Sequence, residues 1–153
     1  MTRTRVLIAE DFVVIQEMIR DLLEPECEVV AMVEDGRAAL ESAAALAPDI
    51  LLLDASLPVI GGFEVAERLY QTYPEVRIIF LTAHAEPSYV RRAFEIGAKA
   101  YLMKGSIRIE LLPAIHFAPT ARGLIPPVSS PMPVTMLEPL CGVSSNGFGA
   151  PTP

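Results

Sequence analysis

Cysteine is scarce in this chain of 153 residues: Cys27 and Cys141 stand far apart, with no Cys-x-x-Cys pair and no zinc-ligand spacing. Neither a disulfide framework nor a structural zinc site is expected. Basic residues are also few, 12 Lys and Arg against 19 Asp and Glu, for a net charge of −7 and a pI near 4.8. Phosphate-backbone binding needs clustered positive charge, so nucleic acid is not expected as a direct partner. No apolar run reaches the roughly 18 residues a membrane span requires. The amino-terminal run Val6-Leu7-Ile8-Ala9 is too short for a signal peptide and meets two acids at once. A soluble, cytoplasmic protein without membrane contact is expected, despite a mean hydropathy of +0.40. No internal repeat is visible, and the first strand is followed by no glycine-rich phosphate loop.

What the chain does have is Asp49-Ile50-Leu51-Leu52-Leu53-Asp54-Ala55-Ser56-Leu57-Pro58, closed by Gly61-Gly62. A run of large apolar residues without alternation suits a strand buried on both faces of a parallel sheet. Asp54 stands where that strand runs out, before Pro58 and the glycines turn the chain. The carboxyl end of a central strand is where open α/β sheets bind ligands. Taken alone, Asp54 reads more readily as a helix cap or turn residue.

The rest of the chain alternates in the same way. Strands are expected at 5–9, 27–33, 50–54, 76–81 and 100–103, and helices at 12–23, 35–46, 63–70, 87–96 and 107–117. In the first helix Ile15, Met18, Ile19, Leu22 and Leu23 form the apolar face, leaving Gln16, Glu17, Arg20 and Asp21 outside. Met18 and Met103 are expected in the core. Asp35 and Asp49 read as caps beside Gly36 and Pro48, Arg91-Arg92 as a solvated helix face, and His116 as a surface residue. Pro113 is expected to interrupt or bend the last helix. Strand-then-helix order, five times over, predicts a parallel sheet covered on both faces. Residues 118–153 hold eight prolines and four glycines but only two charges, Arg122 and Glu138, and read as an irregular Pro/Gly/Ser-rich tail.

In a parallel sheet all carboxyl ends lie along one edge. Glu10 and Asp11, Asp54, Thr82-Ala83 and Lys104 therefore converge there. Three carboxylates in one crevice repel one another unless a cation joins them. Hard oxygen ligands favour Mg²⁺, held at about 2.0–2.1 Å. With its charge masked, Asp54 can attack phosphorus and form an aspartyl phosphate. Thr82 can donate to a phosphoryl oxygen, Lys104 can neutralise another, and the small Ala83 leaves room.

These residues, in this order, resemble the receiver domain of two-component response regulators over residues 1–117. The resemblance rests on Glu10-Asp11, Asp54-x-x-x-Pro58-x-x-x-Gly62, Thr82-Ala83, Tyr101 and Lys104. Leu81-Thr82-Ala83-His84, residues 97–102 and Lys104-Gly105-Ser106 look most like the LuxR/NarL branch. The family implies a flavodoxin-like (CheY-like) sheet of order 2-1-3-4-5. It implies phosphotransfer to Asp54 from a histidine kinase or phosphotransfer protein, and Mg²⁺ on Glu10, Asp11 and Asp54. It further implies a switch in which Thr82 moves toward the new group and Tyr101 follows, altering a surface for a downstream protein or a homodimer. Ser56 and His84 fall at positions that tune phosphoryl lifetime. Such a module is not an enzyme beyond slow loss of its own phosphoryl group.

Two departures from the family stand out. Gly105 follows Lys104 where many receivers carry proline, so no cis peptide is expected there. The stretch Ala121–Ile125 with Ser130-Pro131 resembles a linker into a helix-turn-helix, but residues 132–153 show no amphipathic helix, so a stand-alone receiver is expected. Three rival readings remain. One is a truncated LuxR/NarL-type regulator without its DNA-binding domain. Another is a haloacid-dehalogenase-type phosphohydrolase, whose second acid would fall where Ser56 stands. The third is a flavin- or nucleotide-binding module, in which Glu10-Asp11 would repel phosphate.

Overall fold

The computed structural model describes residues 3–83 and 86–117. His84 and the 118–153 tail, with Cys141, lie outside the described residues. Five strands, β1 (Thr4–Ala9), β2 (Cys27–Val33), β3 (Ile50–Asp54), β4 (Arg77–Thr82) and β5 (Ala100–Met103), alternate with five helices. The helices are α1 (Val13–Leu23), α2 (Gly36–Leu46), α3 (Gly62–Thr72), α4 (Pro87–Ile96) and α5 (Ile107–Phe117). All strand pairs are parallel, in the order β2-β1-β3-β4-β5 expected from the resemblance. α1 and α5 pack together on one side, and α2, α3 and α4 follow one another along the other.

The central strands explain the architecture. Every residue of β3 is buried, as are Val6–Ala9 of β1 and Ile78–Thr82 of β4, because both sheet faces are covered by helices. Register then sets the functional edge. Ala9 lies opposite Leu53, Asp54 opposite Leu81, and Thr82 opposite Met103, so the strands end nearly level. Among the described residues, no helix is long and apolar enough to cross a membrane.

Several local expectations need correcting. Gln16 is buried, not outward: with Ile19 and Leu23 it lies on the inner face of α1, while Ile15, Met18 and Leu22 flank that face. Met18 and Met103 are accordingly half-buried against the core. Pro113 does not break α5, which runs unbroken from Ile107 to Phe117. Burial of Ile107, Leu111, Ala114 and Ile115 holds its course despite the hydrogen bond that proline lacks. Asp35 is the N-cap of α2, accepting from the Ala38 N–H at 2.8 Å. Asp49 caps no helix; its carboxylate accepts from the Arg5 N–H at 2.9 Å and ties β1 to the start of β3.

Candidate functional site

The sheet edge carries the site. Glu10 follows β1, Asp54 ends β3, Thr82 ends β4 and Lys104 follows β5. The chain must turn sharply after Asp54, and two glycines make that turn close. A Cβ on Gly62 would lie 2.4 Å from the Asp54 carbonyl oxygen and 2.8 Å from Ala55 Cα, so only glycine lets α3 start against the end of β3. A Cβ on Gly36 would lie 1.9 Å from the Ile60 carbonyl oxygen, and the Gly36 N–H instead donates to the Pro58 carbonyl at 3.1 Å. Between them, Val59 has φ +72° while the Ile60 N–H donates to the Pro58 carbonyl at 2.8 Å, the hydrogen bond of a γ-turn.

Lys104 sits between two buried carboxylates. Its Nζ donates to Glu10 Oε2 at 3.0 Å and to Asp54 Oδ2 at 3.1 Å. Glu10 Oε1 lies equally near, 3.0 Å from that ammonium, but without hydrogen-bond geometry, and it is buried with no aligned donor. Burial pushes the Glu10 carboxyl above its ordinary value; the Lys104 hydrogen bond opposes this, and the Asp54 charge adds to it. Burial pushes the Lys104 ammonium down, but the Glu10 hydrogen bond and the Asp54 charge outweigh it and hold it above its ordinary value. Lys104 Nζ also lies 5.6 Å over the ring of Phe12, an exposed residue at the mouth of the site.

Asp11 is exposed, yet one ligand atom from each of Glu10, Asp11 and Asp54 lies within 4.8 Å of the others. Three carboxylates against one ammonium leave an excess negative charge that a divalent cation would cancel. Glu10 Oε1, which accepts no aligned hydrogen bond and is held only by the Lys104 charge, would serve such a cation as a ligand. The other Asp54 oxygen, Oδ1, accepts from the Ser56 N–H at 3.0 Å and from its hydroxyl at 3.1 Å. Thr82 is buried and its side chain is hydrogen-bonded to that of Tyr101, whose ring is also buried. The structure thus brings together Glu10, Asp11, Asp54, Ser56 and Lys104, with Thr82 and Tyr101 beside them. His116 is exposed and paired with Glu26 at 2.7 Å, far along α5 from this edge.

Periodicity did not disclose three contributors. Gln16 Nε2 donates to the Glu10 carbonyl at 2.6 Å and to the Val33 carbonyl at 3.0 Å, fixing the backbone that aims Glu10. Its spacing from Ile19 and Leu23 is the signal that places it inside. Phe63 and Arg92 are the others: the Arg92 guanidinium lies 4.8 Å over the Phe63 ring, beside a cavity that opens at the Asp54 loop. Helical spacing shows which face a residue occupies, not which neighbouring helix it meets.

Known proteins of similar sequence and fold resemble this chain over the same domain. Residues 6–116 match the model of the response regulator receiver domain. The transcriptional regulatory protein DegU of Brevibacillus brevis is 36% identical over 104 residues, covering 67% of this chain and 44% of DegU. The probable transcriptional regulatory protein NarL of Mycobacterium tuberculosis is 33% identical over 127 residues, covering 82% of this chain and 59% of that protein. The chain spans about half the length of the curated relatives it matches. Among solved structures, the receiver domain of the M. tuberculosis NarL superposes with a TM-score of 0.75 at 31% identity, over 80% of this chain and 100% of that one. A LuxR-family response regulator from Aurantimonas sp. SI85-9A1 superposes with a TM-score of 0.79 at 29% identity, over 90% and 97%. A family match over most of the chain, an acidic cluster at the end of β3 and a lysine after β5 lead to one conclusion: the chain belongs to the response regulator receiver domains, and its homologues are regulators of the NarL/LuxR type.

Proposed function

We propose that residues 1–117 form a phosphoacceptor module that receives a phosphoryl group on Asp54 from a histidine kinase or phosphotransfer protein in the cytoplasm. The observation that carries this reading is Lys104 Nζ bridging two buried carboxylates, Glu10 and Asp54, while Glu10 Oε1 keeps no aligned donor. Glu10, Asp11 and Asp54 would hold Mg²⁺, whose charge would screen the acidic trio and the incoming phosphoryl oxygens. Asp54 supplies the attacking oxygen: its bond to phosphorus forms as the donor's bond to phosphorus breaks, and the leaving group keeps that electron pair. Lys104 is already within reach of Asp54, so it needs little movement to neutralise a phosphoryl oxygen. Ser56 holds Asp54 Oδ1 from the opposite side and so orients the carboxylate.

Ser56 and His84 tune how long the phosphoryl group lasts. Thr82 is the donor to the new group. To serve it, Thr82 must give up or share its hydrogen bond with Tyr101. That exchange couples the acceptor to β5, and with it to a surface for a downstream protein or a second copy of the chain. The phosphoryl group, carrying about −1.5 to −2 charge, biases an equilibrium the fold already contains. The module acts by protein contact, without touching nucleic acid itself, and its only chemistry is acceptance and slow loss of its own phosphoryl group.

The test is incubation of the full chain with a small acyl-phosphate donor, with and without Mg²⁺, followed by intact mass. One added phosphoryl group is expected with Mg²⁺, little without it, and none for Asp54→Asn. Equal uptake by Asp54→Asn would reject the assignment. Rapid turnover of phosphomonoesters would favour the phosphohydrolase reading instead.

A further inference from the structure

Beside the acceptor loop is a cavity of about 370 Å³ lined by Ala55, Ser56, Phe63, Thr82, Tyr89 and Arg92. Arg92, on α4, forms part of its wall. The guanidinium rests on the Phe63 ring at 4.8 Å and makes a long ion pair, 3.6 Å, with Glu67 of α3. Both partners of that pair are about half exposed, so water screens it and it binds Arg92 weakly. Arg92 also lines a second cavity, of about 490 Å³, whose wall includes Glu67 and Glu95. The same side chain therefore borders both an acidic recess and the recess lined by Ser56 and Thr82.

We propose that Arg92 is a second cation for the aspartyl phosphate: on phosphorylation its guanidinium leaves Glu67 and donates to the phosphoryl oxygens across the acceptor cavity. This rests on Asp54 being the phosphoacceptor. The physical reason is a change in which anion is stronger. Before modification the charge of Asp54 is already engaged by Lys104, and Glu67 is the accessible carboxylate. Afterwards a near-dianion with three acceptor oxygens stands on Asp54, beside Ser56 of the cavity lining, and a guanidinium matches it better than it matches one exposed carboxylate. Phe63 provides a surface on which the planar group can slide without losing its stacking contact. Because Arg92 belongs to α4 and Glu67 to α3, the exchange alters the contact between these helices on a route separate from the Thr82–Tyr101 pair.

The test uses beryllofluoride, which adds to a carboxylate oxygen as a tetrahedral stand-in for phosphoryl, with Mg²⁺ and the full chain. Affinity is measured for the wild type, Arg92→Ala, Arg92→Lys and Glu67→Gln, and the Arg92 Nε–H resonance is followed in the wild type. Loss of one charge-assisted contact predicts roughly tenfold weaker binding for Arg92→Ala, partly recovered in Arg92→Lys. Glu67→Gln, which frees the guanidinium beforehand, is expected to bind somewhat more tightly than the wild type. The Arg92 Nε–H signal should shift on saturation. Equal affinity of Arg92→Ala and wild type, or an Arg92 signal that does not move in the saturated protein, overturns the proposal while leaving the Asp54 reading intact. A wild type that takes up no beryllofluoride overturns both.

Discussion

At the scale of single residues, the site is a balance of buried charges. Removing Lys104 leaves the Glu10 and Asp54 carboxylates without their common partner. Breaking a buried pair from one side costs about 3 kcal/mol or more. Lys104→Met is therefore expected to lower stability in urea by about that amount without divalent cation, and saturating Mg²⁺ should return part of it. Equal melting of both proteins without Mg²⁺ would contradict the balance. Cys27, only 3% exposed, offers a second test. Burial pushes its thiol above the usual 9.0, with the Glu26 charge adding to it. A raised thiol contributes stability that is whole below 9.0 and is lost as pH rises through the folded value. In a Cys141→Ser background, alkylation of Cys27 at pH 8 should proceed only as fast as the fold opens. A rate near that of a free thiol would contradict its burial. The acidic trio, the threonine and the lysine were legible in the sequence because each stands at the end of an apolar run, where parallel strands must align their termini. Gln16 and Arg92 were not, because their roles depend on a backbone carbonyl and a ring that only packing brings to them.

At the scale of elements, the loop between β3 and α3 governs how Asp54 is presented, and two substitutions there should act in opposite directions. Gly62→Ala would drive a Cβ to 2.4 Å from the Asp54 carbonyl oxygen, against backbone that cannot yield. Overpacking of this kind costs about 1–3 kcal/mol, and it should also slow phosphoryl uptake by displacing Asp54. Val59 is a β-branched residue at φ +72° with most of its side chain in solvent. Relieving such strain at little cost in burial predicts that Val59→Gly raises stability by about 0.5–1 kcal/mol. A destabilised Val59→Gly would mean that the turn is not strained. Strand and helix identities followed from the apolar patterns alone, since four consecutive apolar residues in β3 leave few other arrangements. The rotation of α1 was missed by one position, because its inner face includes a glutamine that satisfies backbone carbonyls. α5 was expected to break at Pro113 and does not: its apolar residues on both sides of the proline anchor it to the sheet.

At the scale of the molecule, alternation of strand and helix fixed the parallel sheet, and the family motifs fixed its order. The order 2-1-3-4-5 puts β1 and β3 side by side at the centre, which is why Glu10 and Asp54 can share one lysine. The measurement that bears most directly on the central claim is chemical mapping of the modified residue. After incubation with an acyl-phosphate donor and Mg²⁺, borohydride reduction converts an aspartyl phosphate to homoserine, which peptide mass analysis then locates. Homoserine at position 54 alone, absent when Mg²⁺ is withheld, is the predicted result. Modification of Asp11 or His116, or equal conversion at position 54 without the metal, would contradict it.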